Sequence, residues 1–410
     1  MSFNEESEYR VTYTIRDVLL YAVAVGFGSN NNHDTDLSFV WEDHDDVRVE
    51  PTWVCCLPFW ATATHRSRNF DDDDDTAGSS LPNFPPPTMK SLLPQRCLRD
   101  DVAGSVDVKI SDYPILHTRQ CFQWKVQPHK QQQHQTHEQT KPPIKTQGSY
   151  RLRQRCVQVI PKAIGTFVTT QTQIIDDGDD GDEDDNVNGT VVCTMQSTAL
   201  ILGLDDTRVR PFNDASVPVP HIPEPYPSRE YSTNRRPPDH AERIHITPRT
   251  TLLYRLASGD TNAIHVNPMA NPWGDGTRCV LHGLAALGMV SRIVEQRYNT
   301  RSRDGHGPNR FHRRKQMQHM EANFTHPVMV GDTIEIQFWD VVPHTNDTND
   351  NHINEDNANK AVTDMSQIIL YFRVIILSTQ KVAIDKGVAI LTTTTAETSS
   401  TNIATARSKL

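Results

Sequence analysis

The chain has 410 residues, long enough for two domains with proper cores. Its 36% hydrophobic content and mean hydropathy of −0.57 are low for a globular enzyme, so much of the length is expected to be polar insertion. A net charge of −10 argues against nucleic acid as the main partner, and no apolar run approaches the length of a membrane span.

The N-terminus, Met1 to Glu6, lacks the apolar core of a secretory signal. Thr14-x-x-Asp17 has the form of a capping box opening the apolar run Val18 to Val25, and Pro51 to Ala63 reads as a buried helix. The acidic runs Asp71 to Asp75 and Asp176 to Asp185 read as solvated loop tips, and Gln127 to Lys141 as a disordered Gln/His-rich excursion. Phe122 to Val126, Tyr150 to Pro161, Thr166 to Ile175 and Thr190 to Leu202 are β-patterned. Eight prolines between Pro211 and Pro238 predict an extended linker. Beyond it, Thr247-Pro248 is a good helix start. His282 to Tyr298 then carries Leu284, Leu287, Val290, Ile293 and Val294 on one helical face. Phe324 to Trp339, Ile368 to Leu377 and Val382 to Thr392 read as strands, with a polar insertion at Asn346 to Asn359.

The expected division is 8–210 for a first unit, 211–242 for the linker, 243–395 for a second unit and 396–410 for a Thr/Ser-rich tail. Each unit is α+β: a helix wrapped by several antiparallel strands. The seven cysteines form no CxxC pair and read as buried thiols in a reducing compartment. The sequons at Asn188, Asn323 and Asn346 are accordingly taken as accidental. The terminal Ser408-Lys409-Leu410 spells a receptor-read peroxisomal address, so the peroxisomal matrix is the expected location and the peroxisomal import receptor an expected partner.

Two stretches of the chain read almost alike. Leu19-Leu20-Tyr21-Ala22 recurs 233 positions later (252 − 19) as Leu252-Leu253-Tyr254-Arg255. In the second copy Gly259 and Asp260 follow, then His265; the first copy has Gly26, Phe27 and Asn32 in those places. Phenylalanine and asparagine do no acid/base work at neutral pH. The repeat is expected to extend to Leu116-His117-Thr118 against Leu281-His282-Gly283, where again only the second copy keeps the glycine.

A carboxylate and an imidazole five residues apart on a loop can converge on one water or one carbon. Gly259 allows a tight turn before them and Pro268 restricts the exit. Alone the pattern is weak, because an Asp before a short helix can be a cap and a loop His a surface residue. The added signal is Cys279-Val280-Leu281-His282-Gly283-Leu284. A glycine in the first turn of a long helix exposes its N–H at the positive end of the helix dipole, a suitable donor for a carbonyl oxygen gaining charge. No HExxH or Cys/His spacing supports a metal, and no GxGxxG follows a strand, so no cofactor is expected.

These residues carry a resemblance. Leu253-Tyr254-Arg255-Leu256-Ala257-Ser258-Gly259-Asp260-Thr261-Asn262-x-x-His265-x-x-Pro268 with Leu281-His282-Gly283-Leu284 resembles the signature of the MaoC-like (R)-specific enoyl-CoA hydratases, or hydratase 2. Asn323-Phe324-x-x-Pro327-Val328-x-x-Gly331-Asp332-Thr333 is similar to that family's following strand, and Arg16 to Gly26 with Asp36 to Glu42 to the N-terminal half of its eukaryotic members. The resemblance implies a double hot-dog fold, two long central helices each wrapped by an antiparallel sheet and paired as a pseudo-dimer. It implies hydration of trans-2-enoyl-CoA to (R)-3-hydroxyacyl-CoA in fatty acid β-oxidation. By position, Asp260 and His265 hold the water that adds to C3, and Asp260, in preference to His265, handles the proton delivered to C2. The Gly283 N–H binds the thioester oxygen, while Asn262, His282 and Tyr254 meet the substrate. The silent first half makes room for a bulky acyl tail, and a homodimer is compatible.

The chain departs from the family's usual residues at Ala263, Asn267, Asp275 to Cys279 and Asn323, which touches chain preference and CoA contacts more than the chemistry. The cluster Arg310, Arg313, Arg314, Lys315 reads as a solvated loop rather than a CoA-phosphate site. A hot-dog acyl-CoA thioesterase and a non-catalytic acyl-CoA-binding protein stay open as alternatives.

Overall fold

The computed structural model describes residues 6–29, 33–63, 84–90, 92–99, 110–125, 144–178, 189–217, 236–299, 314–341 and 367–394. The Asp71 to Asp75 run, the Gln/His tract, Asn32, Asn188, Arg310, Arg313, the Asn346 to Asn359 insertion and the Ser408-Lys409-Leu410 tail lie outside them.

Strand β1 (Glu6–Tyr13) runs into α1 (Ile15–Ala24) at Thr14, whose N–H and hydroxyl both donate to the Asp17 carboxylate at 2.8 Å. After α2 (His33–Val40) comes Pro51–Cys56, a 3-10 helix continued by the single turn α3 (Leu57–Trp60). The single buried helix expected over Pro51 to Ala63 is therefore not formed. Pro58 removes the N–H that a continuous helix from Pro51 would need at that point, and at Ala61 the backbone turns extended into β2 (Thr62–Ala63). The one-turn α4 (Pro87–Lys90) is tied to α3 by the Thr88 hydroxyl donating to the Pro58 carbonyl, 2.9 Å. The long strands β3 (Ile115–Trp124), β4 (Gly148–Lys162), β5 (Gly165–Asp176) and β6 (Thr190–Leu202) complete the first half, with β7 (Phe212–Asn213) at its edge.

The second half comprises β8 (His240–His245), α5 (Pro248–Ser258), α6 (Gly283–Tyr298), β9 (Arg314–Phe324), β10 (Thr333–Val341), β11 (Gln367–Ile376) and β12 (Lys381–Thr394). The single strand expected over Phe324 to Trp339 is two strands, β9 ending where β10's connection begins. Pro327 offers no ladder donor, and Gly331 at φ 95° turns the chain between them. Both ends of the Pro-rich stretch belong to the sheet: Phe212 pairs with Val159 of β4, and β8 starts at His240. This narrows the linker expected over 211–242.

The strands form one antiparallel sheet in the order β2-β1-β4-β5-β6-β3-β9-β12-β11-β10-β8, with β7 on β4. Outward from the β3–β9 seam, the first half runs β6-β5-β4-β1 and the second β12-β11-β10-β8, step for step. Helices α1 and α5 start at Ile15 and Pro248, the same 233-residue offset as the sequence repeat (248 − 15). One core cluster runs from Tyr9 of β1 through α1 and α6 to Leu391 of β12. The arrangement is the expected α+β pseudo-dimer with one correction: among the described residues only the second half has a long central helix, α6, buried from Leu284 to Glu295.

The extension of the repeat to Leu116-His117-Thr118 is also corrected. Those residues lie in β3, which corresponds to β9 rather than to the start of α6. By order in the fold, the counterpart of His282-Gly283 is Glu50-Pro51: Glu50 caps the first half's helical segment as His282 precedes α6. Proline has no N–H, so the first half also lacks the backbone donor.

Helix α6 meets α1 at Gly288, where an added Cβ would lie 2.5 Å from Val25 Cγ1 and 3.0 Å from the Tyr21 hydroxyl. Gly288→Val is expected to destabilise the protein by about 1–3 kcal/mol through overpacking. A urea midpoint equal to wild type would contradict this reading of the contact.

Candidate active site

Helix α5 is started by Thr247, whose hydroxyl accepts from the Thr250 N–H, with Pro248 at its first position. It ends at Gly259, φ 74°, a left-handed conformation that glycine adopts without a Cβ clash. That turn delivers Asp260. The Asp260 carboxylate accepts from the Asn262 N–H at 3.2 Å, and the Asn262 side chain accepts from the Ile264 N–H at 3.3 Å. Asn262 thereby caps the 3-10 turn Ala263–His265, which presents His265. In the first half, Gly26 keeps a positive φ of 104°, but Phe27 after it is buried and stacked on Phe39, 4.3 Å between centroids.

The His265 imidazole is 94% buried, and its Nδ1 lies 2.7 Å from the Val280 carbonyl oxygen. A carbonyl can only accept, so Nδ1 carries the proton and Nε2 of the neutral ring is a lone pair. Nε2 stands 3.8 Å from Asp260 Oδ2. That is too far for a direct hydrogen bond, and it leaves two acceptors poised to share one water. Burial raises the Asp260 pKa from the ordinary carboxylate value, against the opposing pull of His265. Burial likewise lowers that of His265, with Asp260 opposing. The two shifts bring the proton affinities of the carboxylate and the imidazole closer together.

His282 stacks on His265 with ring centroids 3.5 Å apart and planes at 20°, and its Nε2 lies 3.4 Å from the Asp260 carbonyl oxygen. Burial holds its pKa well below the ordinary value. Asp260, His265 and His282 bring ligand atoms within 4.8 Å of one another. Stacked rings, however, direct their in-plane lone pairs side by side, and these do not meet at one ion. Cys121, His319 and Glu321 form a second such group, with Arg119 2.7 Å from Glu321.

Gly283 is the first residue of α6, and its N–H has no acceptor among the described residues. A Cβ there would lie 3.1 Å from Phe324 Cδ1, so a side chain would crowd the ring beside it. Asp260, Asn262, His265, His282 and Gly283 all line one cavity of about 710 Å³. Tyr254, expected to meet the substrate, does not line it. It is buried behind His282, ring centroids 4.8 Å apart, with its hydroxyl 3.6 Å from Cys56 Sγ. It supports the site from the core. The Val280 carbonyl, which sets the His265 tautomer, was not foreseen, because a backbone acceptor leaves no mark in side-chain spacing.

A pair of helix-and-sheet units joined at one seam, with the Asp260/His265 pair and the unpaired helix N-terminal donor both in the second half, defines a pseudo-dimeric fold. A solved MaoC-like dehydratase from Phytophthora capsici matches it with a TM-score of 0.56 at 20% identity, over 96% of this chain and 97% of that one. The fold is thus the double hot-dog of those dehydratases. Residues 231–364 match the family described as MaoC like domain. The probable enoyl-CoA hydratase 2 of Dictyostelium discoideum is 30% identical over 110 residues, 27% of this chain and 34% of that protein. The peroxisomal hydratase-dehydrogenase-epimerase of Neurospora crassa is 22% identical over 330 residues, 80% of this chain and 27% of that protein. The chain therefore matches about a third or less of the length of these relatives.

Proposed function

We propose that this chain is a hydro-lyase that adds water across trans-2-enoyl-CoA to give (R)-3-hydroxyacyl-CoA. The observation that carries the reading is the meeting of Asp260 Oδ2 and an unprotonated His265 Nε2, 3.8 Å apart, on one cavity wall with the unpaired Gly283 N–H. Water held between the two acceptors passes a proton to the Asp260 carboxylate as its oxygen bonds to C3. The C2=C3 electron pair moves toward the thioester, whose oxygen gains charge and is met by the Gly283 N–H at the positive end of α6. Asp260 returns a proton to C2, so one water is added and no base is consumed. The resemblance to hydratase 2 and the names of the relatives support the substrate class and the (R) product. The name of the Neurospora relative supports a peroxisomal setting, and the resemblance to hydratase 2 a part in fatty acid β-oxidation.

The test is purified protein with crotonyl-CoA and a longer enoyl-CoA, following loss of enoyl absorbance, product chirality and free thiol. Hydration to the (R) product without thiol release is the expected result. Free CoA without hydration would replace the proposal with a thioesterase, and binding with neither would replace it with an acyl-CoA-binding protein.

A further inference from the structure

The cavity that holds Asp260 and His265 continues beneath the first half's sheet, where Pro51–Trp60 stands in place of a long central helix. The wall it meets there is polar. Gln120 of β3 pairs with Ser197 of β6, and Ser197 with Thr170 of β5; one row along, Thr172 of β5 pairs with Gln154 of β4. All five line the cavity. The next row on the same face, Trp124, Cys193, Ile174 and Leu152, is apolar and buried, so the polarity is local. The fold does not demand it either. In the second half Ile334, Ile336, Phe338, Leu370, Phe372 and Val374 of β10 and β11 are all core residues.

The wall is only partly satisfied from within. The Ser197 hydroxyl donates to Gln120 Oε1 at 2.6 Å. Gln154 is 92% buried, yet its Oε1 has no hydrogen-bond partner. A buried amide left unpaired costs about 1–3 kcal/mol, which an apolar side chain at that position would avoid.

We infer that this wall is a recognition subsite for an oxygen-bearing acyl chain: the enoyl-CoA carries a hydroxyl, or a group of like hydrogen-bonding character, several carbons beyond the reacting double bond. The inference rests on the hydration reading for the identity of the ligand. A hydroxyl both donates and accepts, so it satisfies the Gln154 carbonyl oxygen and a threonine hydroxyl together. A plain alkyl tail leaves the Gln154 oxygen unpaired and displaces any water that serves it.

The test uses the full chain with trans-2-enoyl-CoAs of one length, unsubstituted or carrying a hydroxyl at successive carbons beyond C5. Wild type is expected to show a higher kcat/KM for the best hydroxylated chain than for the unsubstituted one. Gln154→Leu and Thr172→Val are each expected to lower that ratio by about tenfold, the size of one lost hydrogen bond in a built site. Because the readout is a ratio, a general loss of active protein leaves it in place, and the second variant serves if the first does not fold. Calorimetric binding of the matching saturated hydroxylated and unsubstituted acyl-CoAs reads the same preference without turnover. A preference seen in binding while crotonyl-CoA is not hydrated would sink the hydratase reading and keep the subsite. Hydration with no preference, or a ratio unchanged in both variants, would overturn the subsite.

Discussion

Asp260→Asn and His265→Ala are each expected to lower kcat for enoyl-CoA hydration by about 100-fold or more, a usual size for loss of a positioned acid or base. The asparagine keeps the shape and the acceptor for the Asn262 N–H but cannot exchange a proton; the alanine removes the Nε2 lone pair that faces Asp260 at 3.8 Å. Since the two groups share one water, the double variant should fall well short of the product of the two losses. The pH dependence has a definite sign. Both groups work unprotonated, so activity rises with pH, and the acid limb should lie above the ordinary carboxylate range because burial raises the Asp260 pKa. In Asp260→Asn the residual activity should lose that limb. Near-normal turnover in either single variant, measured with crotonyl-CoA, would exclude the mechanism.

Much of this site could be read from the sequence because its parts are local. Gly259 before Asp260, the five-residue step to His265 and a glycine opening an apolar helix are each short-range signals, and the structure brings all three to one cavity. The duplication was legible for the same reason, since α1 and α5 keep side chains as well as fold position. Failures came where backbone chemistry or packing decided. Pro58 broke a helix that its apolar content had suggested, and Pro327 with Gly331 divided one apparent strand. Leu116-His117-Thr118 mimicked the helix start by composition while lying in β3. The polar wall was invisible because strand alternation shows which residues share a face but not whether that face meets solvent or a cavity. Nothing in the two β-patterned runs marks Gln154 and Thr172 until β4 and β5 are placed over the space left by the shortened helical segment.

That shortened segment also carries the second large effect, at Glu50. Its side chain is fully buried, and Oε2 accepts from the Thr52 N–H at 2.8 Å as well as from the Thr52 hydroxyl. Burial pushes its pKa up to about 8, with the nearby Glu295 adding to the rise and the Thr52 contacts opposing it. In the unfolded chain the carboxyl ionises near its ordinary value of 4.5. Between these pH values the native state holds a proton that the unfolded state has lost, so stability falls as pH rises through this window. The slope is about 1.4 kcal/mol per pH unit, and it levels off above about 8. Glu50→Gln keeps the shape and the acceptor for Thr52 but cannot ionise. The variant should match wild type near pH 4.5 and become progressively more stable than wild type up to about pH 8. Glu50→Ala should be less stable than Glu50→Gln at every pH, because it also loses the cap, typically about 1 kcal/mol. Urea unfolding of the three proteins across this range measures both effects. A wild type that gains on Glu50→Gln as pH rises would mean that the buried carboxylate is stabilised rather than penalised in the fold.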